Sequence, residues 1–537
     1  MAVIRLGPFF GANLALRPKL LSANVGVRSL NHWPDRGDLR PWREPLTVAT
    51  APASTQTMAI LKRDARTDTV YWLKWSTVVH VVNSFNATGT TKRTYFTGSG
   101  APKVTDNILA LAGEPFPTAF RDLGIPQPMS LPSVVETTPG TGDDETRFYA
   151  YAYVSDWDEV GPAQVSVAVT CKPGALLDIS GLAAPPSGGG NARGINRIRV
   201  WRTQSGATGA EFFFLRDITV ATSTTDDARA LGTDVLDSQL YAMPPADLKH
   251  LTGLWNGMMA GITGNSVRYC EQFKPHAWPA AYETLCMDTP IALAVFQKNL
   301  LILTTGRPRM VNGSAPEAMD DVPVEFIAAC VSERSVVAFG HGACWATADG
   351  LAYVGTNGAP RLLTEGLMLL DDWKALNPSS IVAGQFNGKY MGFYEGIDGL
   401  RGFMLDPMQP DAGIYFLTGG YSAVHFDALE EELYVLEGTN IRRWNGGTTT
   451  MTAQHRTKVF RQPYPLNMSV CKVIADVYPC TVTLFADDQP PEVRVVIDDE
   501  PFWFPPGYLA ENYQIEVETV NDVTGLILTD NLRDLTA

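Results

Sequence analysis

Val336-Val337-Ala338-Phe339, Gly340-His341-Gly342, Ala343-Cys344-Trp345-Ala346: an apolar run, a tight turn and a second apolar run. Ala348-Asp349-Gly350 then turns into Leu351–Val354, and Thr356-Asn357-Gly358 leads on to Ala359–Leu363. Runs this short, bounded by Gly and Asn, read as four antiparallel strands, because those two residues adopt the positive φ of hairpin turns at low steric cost. The scheme recurs on both sides. Polar turns fall at Asn256-Gly257, Lys298-Asn299, Gly340-His341-Gly342, Asn387-Gly388 and Glu431-Glu432. Counted from Gly257, Asn299, Gly342, Gly388 and Glu432, the gaps are 42, 43, 46 and 44 residues. A period of ~40–45 residues with several strands per repeat is the signature of propeller blades.

Working outward, Thr57–Asp106 reads as one more blade, with strands at Met58–Leu61, Val70–Leu73, Val78–Val82 and Thr91–Phe96. Residues 129–245 break the repeat. Phe148–Val154 alternates strictly, with Tyr149, Tyr151 and Tyr153 on one side, as a two-faced strand of a sandwich does. Residues 451–537 lose the period again but keep strand signals at Ser469–Tyr478, Thr481–Phe485, Val493–Ile497, Tyr513–Glu518 and Thr524–Thr529. The sequence therefore predicts an all-β chain in five parts. Residues 1–50 form an extended N-terminal arm, and 51–128 a first blade and linker. Residues 129–245 form an inserted fibronectin-III-like β-sandwich, 246–450 the remaining blades and 451–537 a C-terminal β platform domain. The propeller would have about six blades, closed by joining distant chain segments, which removes exposed strand edges. No long amphipathic helix is found, and the best short helical candidate is near Glu365–Leu376.

Composition narrows the function classes. The chain of 537 residues carries 47 Gly and 37 Pro, in keeping with many turns. Its net charge is −15, divided unevenly: seven Lys/Arg against three Asp/Glu give residues 1–50 a charge of +4, leaving −19 for the rest. An acidic body argues against tight phosphate binding. Seven cysteines, an odd number without a CxxC spacing, read as free buried thiols rather than a disulfide framework. No apolar run approaches the ~18 residues of a membrane helix. Arg17, Pro18 and Lys19 interrupt the N-terminal apolar run, which makes a poor signal peptide, so synthesis in the cytoplasm is expected.

Candidate chemistry is sparse. Acid clusters occur at Asp143-Asp144-Glu145, Asp226-Asp227, Asp320-Asp321, Asp371-Asp372, Glu430-Glu431-Glu432, Asp487-Asp488 and Asp498-Asp499-Glu500. Paired acids serve propeller glycosidases, but neighbours on one strand point to opposite faces, and most of these border turns where solvated charge is the default. The seven histidines look isolated, and His341 with Cys344 is a weak metal pair. Gly188–Gly194 mimics a phosphate loop without the Lys-Ser/Thr that would complete it. No catalytic, cofactor-binding or metal residue is expected. The contact candidates are Arg17, Trp33, Arg40 and Trp42 in the arm, and Trp503 in the aromatic loop Pro501–Gly507.

The order of parts resembles the tail nozzle (tail tube terminal) proteins of short-tailed bacteriophages. The likeness is carried by Gly11-Ala12-Asn13, Pro18 and Gly37-Asp38-Leu39-Arg40-Pro41 in the arm. It continues in Leu254-Trp255-Asn256-Gly257 with Tyr269-Cys270-Glu271, in Leu300–Gly313 and in Gly350–Val354. Arg456-Thr457-Lys458, Pro463, Pro501-Phe502 and Pro505 extend it to the C-terminus. The resemblance implies a propeller attached to a platform and six copies in a ring around a channel for departing double-stranded DNA. It also implies a tail adaptor or tube protein above, tail fibres or spikes as neighbours, and location in the virion tail. It brings no catalytic residues. The alternative is a carbohydrate-binding or carbohydrate-active propeller.

Overall fold

The computed structural model describes residues 3–535 apart from 86–91, 187–192, 205–210, 316–317, 326–327, 357 and 506. Strand accounts for 46% of the chain and helix for 5%, so the class is all-β with many small sheets. The chain divides into two compact units, one comprising 1–72, 303–308 and 323–537, the other 73–302 and 309–322.

The second unit holds two four-stranded meanders and most of a third. His80–Asn83, Arg93–Thr97, Lys103–Asp106 and Arg121–Asp122 form the first. Lys249–Gly253, Met259–Thr263, Ser266–Tyr269 and Glu283–Leu285 form the next. The third is built from Pro290–Phe296, Asn299–Thr304, Arg309–Asn312 and Asp320–Pro323. Strand Lys249–Gly253 lies beside both His80–Asn83 and Pro290–Phe296, so the sheets meet at their first strands. This corrects the expected blade at Thr57–Asp106. Thr57–Ile60 belongs to the first unit, and the sheet that starts at His80 takes its fourth strand from Arg121–Asp122 instead.

Between the first and second meanders lies the inserted segment. Its four-stranded sheet runs Gln164–Val165, Tyr149–Ser155, Ile195–Thr203, Phe212–Thr219, and its three-stranded sheet runs Ser133–Thr138, Leu176–Ser180, Ser223–Asp226. Tyr149, Tyr151 and Tyr153 share a core with Ile179 of the other sheet, as strict alternation requires of a sandwich. Each buried hydroxyl finds an acceptor: Tyr149 on Asp226 (2.7 Å), Tyr151 on the Ser130 carbonyl (2.8 Å), Tyr153 on the Ala183 and Ala184 carbonyls (2.9 Å). The alanines on the opposite side of the strand are also covered, by Trp201 and Phe212, so both faces are buried. Most of the glycine-rich run Gly188–Gly194 lies outside the described residues.

In the first unit, Val337–Phe339, Gly342–Ala346, Leu351–Gly355 and Pro360–Leu362 form the meander quoted above. The helix Leu370–Ala375 follows, with Trp373 buried. Val382–Phe386, Lys389–Gly396, Gly399–Leu405 and Tyr415–Leu417 form another meander, and Ala423–Asp427, Glu432–Glu437 and Asn440–Arg443 a third, completed by Leu46–Thr50 from the arm. Again first strands are neighbours: Val382–Phe386 lies beside Val337–Phe339 and Ala423–Asp427. The C-terminal residues build a two-sheet domain whose core unites Val482, Leu484, Ile515 and Val517 with Val473, Leu526 and Leu528.

The arm ties these sheets together. Val3–Leu6 pairs antiparallel with Val523–Thr529. Arg28–Leu30 runs antiparallel to Ala453–Arg456 and meets Tyr415–Leu417 in parallel at Leu30 and Phe416. One ten-stranded sheet thus passes from a meander, through the arm, into the C-terminal domain. Gly11 shows how tightly the arm is seated: a Cβ there would lie 2.6 Å from the Gly413 carbonyl carbon.

Candidate functional site

The arm's aromatic residues do not form an outward patch. Trp42 has no exposed surface and sits among Phe386, Phe393, Tyr415 and Trp444. Its ring lies 5.4 Å from Trp444 and 5.7 Å from Phe386, both edge-on. Trp33 stacks on Trp42 with centroids 4.9 Å apart, and the Arg40 guanidinium covers Trp33 at 4.4 Å. Arg40 also reaches Asp35 at 3.3 Å. Trp42 is therefore core, not a contact residue, because aromatic burial has already claimed both of its faces. Trp33 and Arg40 are half-buried and form its lid.

Arg17 and Trp503 remain accessible. Arg17 lies in an exposed turn held to the C-terminal domain by the Val459 amide, which donates to the Pro18 carbonyl at 3.0 Å. Trp503 is 55% exposed, whereas its neighbour Phe504 is 2% exposed and fills the core. The aromatic loop divides these roles because Phe502–Trp503 is itself a short strand on Val470 and Cys471, and alternation sends successive rings to opposite sides. In the same domain, Glu492–Val496 pairs, among the described residues, with Cys480–Ala486 alone and ends the ten-stranded sheet. Val493, Val495 and Ile497 are 63%, 58% and 73% exposed, an apolar row along that sheet edge. Such an edge can accept another strand. Asp498, Asp499 and Glu500 follow it and are exposed.

Several acid clusters are committed to structure. Asp226 is fully buried and accepts from Tyr149 and Arg202 (2.6 Å), with Arg147 at 3.6 Å. Asp227 pairs with Arg216 and Arg229, and Asp321 holds Arg309 with both oxygens. Glu430 shares Arg63 with Asp427. Asp487 caps the Glu511 and Asn512 amides. Cys344 is buried in the core while His341 bonds the Tyr353 hydroxyl at 3.0 Å, and all seven cysteines are free and buried.

Two arrangements escaped the sequence. Glu159, in the turn after Tyr149–Ser155, is 7% exposed, takes a hydrogen bond from Arg93 at 3.0 Å and faces His276 Nδ1 at 4.0 Å. Burial outweighs the arginine and pushes the carboxyl up to about 7, while burial and Lys274 hold His276 down to about 4. Trp157 beside it lies under Arg93 (4.5 Å) and Arg121 (4.1 Å), which ties the sandwich to the strands flanking its insertion point. The histidines, read as isolated, form two close pairs: His80 with His250 (centroids 4.1 Å) and His32 with His455 (6.4 Å). Residues 170 apart in the chain carry no local signal of meeting.

No family model matches the chain, and no curated protein does. Among solved structures, the chain is similar to apo AztD from Citrobacter koseri at 12% identity and TM-score 0.28, over 70% of this chain and 99% of that one. PorZ, a surface component of the type-IX secretion system of Porphyromonas gingivalis, aligns at 10% identity and TM-score 0.23, over 73% and 42%. A Bacteroides thetaiotaomicron protein of unknown function aligns at 8% and 0.24, over 58% and 82%. Likeness at this level defines neither fold nor activity. No helix among the described residues is long and apolar enough to cross a membrane.

Proposed function

We propose that this chain is a structural subunit of a bacteriophage tail nozzle: a propeller-bearing protein that assembles, six copies to a ring, around the conduit for DNA. The observation that carries the reading is the order of sheets. Six four-stranded meanders, one of them continued into a larger sheet, follow in chain order among the described residues, and the last takes its fourth strand, Leu46–Thr50, from the opposite end of the chain. Closure of that kind is how propellers remove their edges. The sandwich inserted after the first meander and the two-sheet C-terminal domain agree with the order of parts that the resemblance implies.

Charge agrees with this role. A conduit must let a polyanion slide, and a body of net −19 outside the arm offers few phosphate anchors. Carboxylates repel a duplex over about a Debye length, ~8 Å at physiological salt. The sugar-active alternative gains nothing from the acid pairs described above, which hold arginines and turn amides.

Electron microscopy of the purified chain together with the adjoining tail component tests the reading. Rings with a central channel and a mass six times the 58.5 kDa chain are expected. Particles that stay monomeric with that component present, or a chain that hydrolyses a glycan, would overturn it.

A further inference from the structure

In the first unit, the arm strand Arg28–Leu30 pairs with Ala453–Arg456 so that Ser29 lies opposite His455. His455 is buried, and alternation puts it on the core side of its strand, with Val517 as its register partner on the next strand. Its ring stands edge-on to Phe9, 5.2 Å between centroids. His32, two residues beyond the arm strand, is also fully buried. Its ring is edge-on to Tyr415 at 5.2 Å and to His455 at 6.4 Å. One imidazole thus belongs to the arm, and the other to the strand that holds the arm.

The bonding around the pair suits neutral rings. His32 Nε2 lies 3.0 Å from the Asp38 carbonyl, which can only accept, so the proton sits on Nε2. Nδ1 then accepts from the Ser29 hydroxyl at 3.2 Å. His455 Nδ1 is buried without a hydrogen-bond partner. Among the described residues, no carboxylate bonds either ring. Tyr415 donates to the Ala412 carbonyl, and Asp406 near it is held by Lys389 at 2.8 Å. Arg456 is next along the strand, so it takes the opposite face, where it bonds Gln514 at 3.0 Å, and Arg28, its register partner, is exposed. Glu516 and Glu518 alternate with Val517 and share that outer face. Burial lowers both histidines, and His32 lowers His455 further.

We infer that His32 and His455 form an acid-operated latch, whose protonation frees the N-terminal arm from the C-terminal domain while that domain stays folded. A first proton puts a charge into an apolar core, and a second adds a like charge beside it. The shorter ladder yields. Arg28–Leu30 offers three residues, whereas Ala453–Arg456 is also held on its other side by Ala510–Thr519. Withdrawal of the arm takes His32 into water and uncovers His455, because Phe9 and Gly26 cover that ring and both belong to the arm; a Cβ on Gly26 would lie 2.8 Å from His455 Cε1. The latch lies within one unit and does not depend on the nozzle reading.

The test is amide hydrogen exchange of the full chain between pH 7.5 and pH 4, corrected for the intrinsic effect of pH on exchange. Arm peptides covering Val3–Leu6 and Arg28–Leu30 are compared with Cys480–Ala486, an inner strand of the C-terminal domain. Arm protection should fall by about tenfold or more below pH 6.5, while that of Cys480–Ala486 is kept. His455→Phe retains a ring in the core and removes one titrating group, so its arm should open about one pH unit lower. Arm amides of the natural chain that stay protected to pH 4, or that lose protection together with Cys480–Ala486, overturn the latch. So does a folded His455→Phe chain whose arm opens at the same pH as the natural one.

Discussion

Replacing Trp42 by alanine separates a core role from a contact role. The indole is fully buried and packed by Trp33, Phe386 and Trp444. An aromatic side chain of this kind removes roughly 200 Å² from water. At about 25 cal/mol per Å² that amounts to about 5 kcal/mol, the upper end of the 3–5 kcal/mol typical of buried aromatic-to-alanine changes. Neighbouring rings can relax into the space, so about 4 kcal/mol is the working figure. For a urea dependence of about 3 kcal/mol per molar, the unfolding transition of the first unit should move down by roughly 1.3 M. The assay is urea denaturation followed by far-ultraviolet circular dichroism, with Trp503→Ala alongside. Trp503 is more than half exposed, and its replacement should shift stability by no more than about 0.5 kcal/mol. If Trp42→Ala unfolds at the wild-type midpoint, the arm is not seated as described, and Trp42 returns as a contact residue.

Other perturbations follow from buried charge. Burial holds His32 down to about 4, and burial with its neighbour His32 holds His455 down to about 3, both from an unfolded value of 6.5. Their stability contribution is complete above pH 6.5 and is lost as pH falls toward those values, by about 3 kcal/mol for a shift of this size, so urea midpoints should drop between pH 6.5 and 4; a flat profile would refute neutral burial. Glu159 has the opposite sign: its raised carboxyl favours the folded state below pH 4.5, and that advantage is lost as pH rises through 7. Glu159→Gln should therefore gain on the wild type between pH 5 and 8, and parallel pH profiles for the two would contradict the assignment. Asp226→Ala strands Arg202, Arg147 and the Tyr149 hydroxyl inside the sandwich, at a cost of about 3–5 kcal/mol, which limited proteolysis of residues 129–245 should register as faster cleavage.

What could be read from the sequence was local. Hairpins announce themselves through Asn and Gly at tight turns, and the turns counted above fall between the first two strands of their sheets: φ is positive at Gly257, Asn387, Gly388 and Glu431. The tyrosine strand and the five C-terminal strands were legible for the same reason, since period-two alternation is written residue by residue. Pairing between distant segments was not. Arg28–Leu30 and Leu46–Thr50 are too short to show a period, and their partners lie hundreds of residues away. The error at Thr57–Asp106 has the same origin: its strands are real, but which sheet each strand enters depends on neighbours that no window contains. The burial of Glu159 and the meeting of His80 with His250 were invisible too, because burial and pairing of distant residues belong to the folded chain.

The arm accordingly has a structural meaning that its composition hid. Its three strands join Val523–Thr529, the edge between Tyr415–Leu417 and Ala453–Arg456, and Asn440–Arg443. It is made before its partners, every one of which lies beyond residue 410. Until they exist, the arm has only side chains to hide and no ladder to enter. Loop closure over such lengths costs only slowly more with distance, by about 0.6 kcal/mol per doubling, so the finished contacts carry it easily. The penalty falls on rate: non-local pairing comes late, and unpaired strands are the ones that exchange between copies. The chain meets that hazard by keeping the arm strands three to five residues long and separating them with turns.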